Sequence, residues 1–171
     1  MKNRIQHTLF FGISLLSFSA CEAQEQKMQK ISKKGMGVQW YFKNSRIFFT
    51  MSAPTNGWVT VGFNTTEKMT NAYLLMGRVV EHKAEVVEHY TIAAGNYKPI
   101  KALNGEIQVQ NVSGYQKADT SVFQFSLPIE AVGKYQKNLS PGSKYIMTLA
   151  YSQEDDFQHH SIMRTSINVE L

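Results

Sequence analysis

From residue 36 to the end of the chain, apolar and polar residues alternate with period two or gather in short apolar runs. Both are strand patterns, and neither shows the 3.6-residue period of a surface helix. VQWYF (38–42) and RIFFTM (46–51) flank Asn44-Ser45, a pair suited to a tight hairpin turn. Pro54-Thr55-Asn56-Gly57 is a turn cluster. WVTVGF (58–63) then alternates, with Trp58, Thr60 and Gly62 on one side and Val59, Val61 and Phe63 on the other. AYLLMGRVV (72–80) is a longer apolar run, as expected of a strand buried on both faces. EVVEHYTI (85–92), EIQVQNV (106–112), SVFQFSL (121–127), KYIMTLAYS (144–152) and SIMRTSINVEL (161–171) complete a set of about nine strands. The one segment suited to a helical turn is PIEAVGKYQ, 128–136. Many short strands divided by turn signals predict an all-β antiparallel sandwich or barrel, in one domain without an internal repeat.

The first 35 residues break this pattern. Lys2 and Arg4 precede an apolar or small-residue stretch from Leu9 to Ala20. That stretch is too short to span a bilayer but suits the core of a secretory signal. Phe18-Ser19-Ala20-Cys21 resembles the end of a bacterial lipoprotein signal, in which the cysteine is lipidated and becomes the new N-terminus. Leu is the usual residue where Phe18 stands. An ordinary signal cut after Ala23 is the competing reading. Cys21 is the single cysteine of the chain and has no internal disulfide partner, which favours the lipid role. Residues 1–21 therefore read as a lipoprotein-type signal peptide, 22–35 as a Lys/Gln-rich solvated tether and 36–171 as the folded domain. The expected location is the bacterial cell envelope, facing outside the cytoplasm and held to a membrane through the N-terminal lipid.

Charge adds little to this picture. The chain has 18 basic and 13 acidic side chains, a net charge of +5. Losing Lys2 and Arg4 with the signal leaves 16 against 13, or +3, with Lys27, Lys30, Lys33 and Lys34 concentrated in the tether. Such a tether suits anionic headgroups or wall polymers. No stripe of interleaved aromatic and basic residues supports nucleic-acid binding. No Cys/His metal spacing, Gly-rich phosphate loop or Gly-x-Ser-x-Gly turn occurs. Nothing in the sequence requires catalysis, and the chain is not read as an enzyme.

Most of the individual candidates have plain structural readings. Trp58, opening a core strand, reads as packing, Gly57 as a turn conformation, and Met51 and Met76 as core methionines. His82 falls in a hairpin turn, VEHKAE, and reads as solvated; His89, in EVVEHYTI, reads as outward-facing. Glu154-Asp155-Asp156 reads as a solvated acidic loop, or as carboxylates that tune a nearby imidazole or meet a basic partner. Met69 differs, lying between Lys68 and Thr70 in a polar loop. His159 and His160 open the last strand. A thioether and an imidazole, each at the edge of a strand, are a pair that can close on the two faces of one haem iron. They can equally be a loop methionine and two surface histidines with no joint role.

GW-V-VGF, a short polar loop, M-x-x-A-x-L-L-x-G, a strand ending VVEHYTIAAG and a final strand introduced by His together are similar to the DOMON domain. The resemblance spans about residues 36–171 and implies an immunoglobulin-like antiparallel β-sandwich. It implies a non-covalent haem b, since no Cys-x-x-Cys-His is present, with Met69 and His160, or its neighbour His159, as axial ligands. The two histidines are divided by separate arguments. Strand parity prefers His159 if the pocket lies on the core face with Met163 and Ile167. The resemblance prefers His160, the choice made here. A neutral, soft sulfur favours Fe(II) and raises the haem potential, and two protein ligands leave little room for oxygen chemistry. The expected role is single-electron transfer with a redox partner in the envelope. The alternatives are a haem-free module for carbohydrate or wall polymer, using Tyr73, Tyr90 or Tyr97, and copper capture by Met69 with His159 and His160.

Overall fold

Two antiparallel sheets pack face to face. The computed structural model describes residues 27–171, so Cys21, the signal segment and residues 22–26 of the tether lie outside the described residues. Its strands are β1 (Gln29–Lys33), β2 (Met36–Lys43), β3 (Arg46–Ala53), β4 (Val59–Asn64), β5 (Tyr73–Val80), β6 (Lys83–Ala93), β7 (Asn96–Pro99), β8 (Gln110–Lys117), β9 (Thr120–Pro128), β10 (Lys144–Tyr151) and β11 (Met163–Glu170). One sheet has the order β1-β2-β3-β9-β8, the other β11-β10-β4-β5-β6-β7. The all-β sandwich is as the sequence pattern predicts, with eleven strands in place of about nine.

The differences have local causes. β1 falls in the segment read as a solvated tether. Lys34-Gly35 has positive φ at both positions, the turn that folds Gln29–Lys33 back onto β2 as an edge strand. Asn44-Ser45, Glu81-His82 and Ala118-Asp119 also have positive φ at both positions and close the β2–β3, β5–β6 and β8–β9 hairpins in the same way. The expected strand at 106–112 begins only at Gln110. The N–H groups of Gln108 (2.5 Å) and Val109 (2.9 Å) donate to the carboxylate of Glu88 instead of to a ladder. Glu88 is fully buried and also accepts from the Tyr73 hydroxyl at 2.6 Å. Burial first, and then that carboxylate, hold the Tyr73 hydroxyl well above its ordinary pKa. Residues 128–136 form no helix: Ala131 N–H donates to Asn138 Oδ1 at 2.8 Å and Gly133 N–H to Gln136 Oε1 at 3.1 Å. The helical turn is at Ile100–Leu103.

The main core lies between the sheets. It takes the inner positions of β2–β4, β9 and β10, among them Trp40, Phe49, Val61, Phe63, Phe125 and Leu149. A second apolar cluster sits on the outer face of the six-stranded sheet: Trp58, Ala72, Leu74, Met76, Ala150 and Phe157. This explains the two-sided burial of β4, whose six residues are all buried. Val59, Val61 and Phe63 enter the core, whereas Trp58 and Thr60 share the outer face. At roughly 1.5–3 kcal/mol for each large apolar side chain removed from water, such a face cannot be left bare without cost. Two loops cover it.

Candidate functional site

The covering loops come from opposite ends of β4. The β4–β5 loop, 65–72, leaves its C-terminal end and carries Met69. The β10–β11 loop, 152–162, lies at its N-terminal end, since Tyr151 pairs with Val59 and Ile146 with Asn64. β4 is six residues long, so the loops start about 17–20 Å apart. Both fold over the outer face and border one pocket, a solvent-open cavity of about 140 Å³. Its floor is Trp58 and Thr60 of the β4 segment, Leu74 and Met76 of β5, Thr91 of β6 and Thr148 and Ala150 of β10; Met69, His159, His160, Tyr97 and Arg164 stand around it. The structure thus brings Met69, His159 and His160 to one site.

Each loop is held by named contacts. Asn64, 5% exposed at the end of β4, donates from Nδ2 to the carbonyls of Lys68 (2.5 Å) and Thr70 (3.0 Å), the residues on either side of Met69. Its Oδ1 accepts from Thr65 N–H at 2.9 Å. On the other side, Ser152 Oγ donates to the His160 carbonyl at 3.0 Å, and His159 N–H donates to the Asp156 carbonyl at 2.9 Å. The acidic stretch is structural as well as solvated. The Glu154 carbonyl accepts from Trp58 N–H at 3.1 Å, and Asp155 Oδ1 accepts from Gln116 Nε2 at 2.7 Å. Gly57 is explained by the same approach. It does not adopt positive φ; a Cβ there would sit inside the backbone of Ser152, Gln153 and Glu154. The expected turn role is replaced by close contact with the histidine-bearing loop.

Several side chains take other places than expected. His89 does face outward from its sheet, but it is 1% exposed because Phe157 and Tyr97 cover it. A carbonyl can only accept, so Nδ1 carries the proton that is donated to the Val87 carbonyl at 3.1 Å. Burial lowers the His89 pKa, and only in part does that hydrogen bond oppose it. Met76 belongs to the pocket floor, not the central core, and Trp58 both packs and lines the pocket. Tyr73 is 1% exposed and cannot be a sugar platform; Tyr90 and Tyr97 are half-buried, with hydroxyls that donate to Asn71 Oδ1 and the Phe157 carbonyl. The parity argument does not apply, because both histidines precede β11 and the pocket lies on the outer face.

One further observation concerns the floor. Among the described residues, three side-chain polar atoms are buried without a hydrogen-bond partner: Trp58 Nε1, Thr60 Oγ1 and Thr91 Oγ1. All three belong to residues lining this pocket. An unpaired buried polar group costs about 1–3 kcal/mol, a cost that water or a hydrogen-bonding ligand in the pocket would offset. Among the described residues no three His, Cys, Asp or Glu side chains gather at a metal-binding distance.

The DOMON domain model matches residues 32–152 of the 171. The chain belongs to the DOMON domain family. The match includes Met69 and ends before His159 and His160. A comparison with curated protein sequences finds no match. Among solved structures, this DOMON domain is similar to the cytochrome b domain of pyranose dehydrogenase from Coprinopsis cinerea. The TM-score is 0.61 at 8% identity, covering 82% of this chain and 80% of the other. It is also similar to the cytochrome domain of Myriococcum thermophilum cellobiose dehydrogenase, with a TM-score of 0.54 at 10% identity over 85% and 82% of the two chains. At those identities the likeness is one of fold.

Proposed function

We propose that this DOMON domain binds haem b non-covalently and carries single electrons, with Met69 and His160 as the residues that would hold its iron and His159 as the neighbour that shares the pocket rim. The observation that carries the reading is the convergence of a thioether and two imidazoles on one pocket from opposite ends of β4. The residues present fit the group: an apolar floor of Trp58, Leu74, Met76 and Ala150 suits a macrocycle, and a soft sulfur with an imidazole suits its iron. When bound, haem supplies a one-electron Fe(III)/Fe(II) couple. The protein's part is to exclude water over the outer face, to present a neutral sulfur that favours the reduced iron, and to hold both donor loops on a rigid sheet. The similarity to cytochrome domains supports this role through the fold. The reading places the domain in the cell envelope, lipid-anchored at Cys21, where it would exchange electrons with a membrane or periplasmic partner.

The test is reconstitution of the purified domain with haemin. A stable Soret band with a six-coordinate, low-spin spectrum is expected, and Met69→Ala should lower the midpoint potential and open one coordination site. A folded domain that retains no haem refutes the reading. The unpartnered groups of Trp58, Thr60 and Thr91 favour a second reading, a hydrogen-bonding ligand such as a sugar in the same pocket. Glycan binding by haem-free protein would support it. Tight copper binding, lost on changing Met69 or either histidine, would instead support copper capture.

A further inference from the structure

We infer that Phe157 is a positioning residue for the histidine-bearing loop: its ring, held between Arg78 and the buried His89, fixes where His159 and His160 stand over the pocket. The role of the histidines rests on the haem reading above; the role of Phe157 does not. Between Gln153 and Ser161 it is the one buried residue, 7% exposed in the otherwise polar stretch EDDFQHH. An apolar ring in such a loop acts as a wedge, and the sheet supplies its seat. The Arg78 guanidinium carbon lies 4.3 Å from the ring centroid, within cation–π range. The same guanidinium is oriented by a salt bridge to Glu85 and donates to the Asp155 carbonyl at 3.2 Å. The His89 ring meets Phe157 edge-on at 5.2 Å and 82°, the geometry aromatic pairs prefer. The Tyr97 hydroxyl donates to the Phe157 carbonyl, and the Tyr97 ring meets His89 at 5.6 Å.

Ring, carbonyl and the preceding residue's neighbour are therefore gripped by three strands, β5, β6 and β7. His159 and His160 follow two and three residues later, so a seated Phe157 limits their reach to about 7–10 Å, and the His159 N–H and His160 carbonyl are further tied to Asp156 and Ser152. A ligand for a planar cofactor must be placed to well under an ångström, and an exposed loop achieves that only through supporting contacts. His89 accordingly serves as a second support that touches Phe157 and not the pocket.

The test has two arms. In haem-free protein, hydrogen exchange should show the His159 and Ile162 amides, which donate to the Asp156 and Tyr151 carbonyls, exchanging at least tenfold faster in Phe157→Ala, with β2 and β3 unchanged. Phe157→Leu should recover much of that protection. In haem-loaded protein, Phe157→Ala should raise the haem dissociation rate at least tenfold and convert low-spin signal to high-spin. Arg78→Gln, which leaves the core untouched, should move both readouts the same way if Phe157→Ala does not fold. Unchanged loop exchange in folded Phe157→Ala overturns the inference. Faster exchange with an unaltered spectrum and dissociation rate also overturns it, leaving Phe157 a packing residue. A wild-type protein that binds no haem refutes the haem reading alone, and the exchange arm still decides the role of Phe157.

Discussion

Asn64 offers a sharp test of how the Met69 loop is built. Its side chain can be oriented in one way only: Lys68 and Thr70 present carbonyls, which need a donor, and Thr65 presents an N–H, which needs an acceptor. Asn64→Ala removes three hydrogen bonds, each contributing about 1 kcal/mol net. Lys68 and Thr70 are exposed, so their carbonyls can turn to water, and the expected global loss is about 1–2 kcal/mol rather than the full sum. Asn64→Asp keeps the shape and the bond from Thr65. It replaces the shared donor with a carboxylate oxygen facing two carbonyl oxygens, so the loop is repelled rather than merely released. Asp should therefore disturb Met69 more than Ala does, although Asp is the closer isostere. Urea unfolding measures the global term. The Met69 methyl resonance in methyl-labelled, haem-free protein reports the loop. An Asp variant whose methyl signal matches the wild type, with the Ala variant perturbed, would refute the clamp.

Two further outcomes are expected. Burial lowers the pKa of His89, with Arg78 adding to the effect and the Val87 hydrogen bond and Glu85 opposing it; the Tyr97 ring packs against the imidazole. The unfolded chain then binds the proton more readily, so this stabilisation is fully present above the unfolded value of about 6.5 and is lost as pH falls through it towards the folded value. Urea midpoints measured from pH 8 to pH 5 should fall below about 6.5, and His89→Gln should flatten that part of the profile; an identical profile in the variant removes His89 as the cause. At the other end of the chain, Cys21→Ser should block lipid labelling and release the protein from the membrane fraction. Recovery of unmodified wild type, cut after Ala23 and soluble, would exclude the anchor.

Strands with unbroken alternation and residues on both faces were legible because the period alone specifies them. β1 was not, since QKISK has one apolar residue, Ile31, and an edge strand needs little more than a turn to pair. β7, four residues ending in Pro99, was not among the expected strands, and a short edge strand tolerates the proline. The run 72–80 was read as buried on both faces, yet what covered the second face could not be read. The cover comes from Phe157, more than seventy residues on, and no periodicity links the two. That also hid His89, whose strand position looks outward until the loop lies over it. Met69 and the histidine pair were reached through the family resemblance, and their meeting at one pocket needed the third dimension.

The outer face explains why the site is where it is. A sheet covered on one side by its partner sheet ordinarily presents polar residues on the other. Here Trp58, Leu74, Met76 and Ala150 make that other side apolar, and no third layer of strands or helices covers it among the described residues. Two loops do so: Asn64 grips the backbone around Met69, and Phe157 seats the histidine-bearing loop against Arg78 and His89. The pocket between them exists because the two anchors stand at opposite ends of β4 and the loops need not meet. Its three unpartnered polar atoms would be a poor choice for a surface meant only to be closed. A sheet face that is apolar, open along its middle and bordered by a loop from each end brings Met69, His159 and His160 to the rim of one pocket.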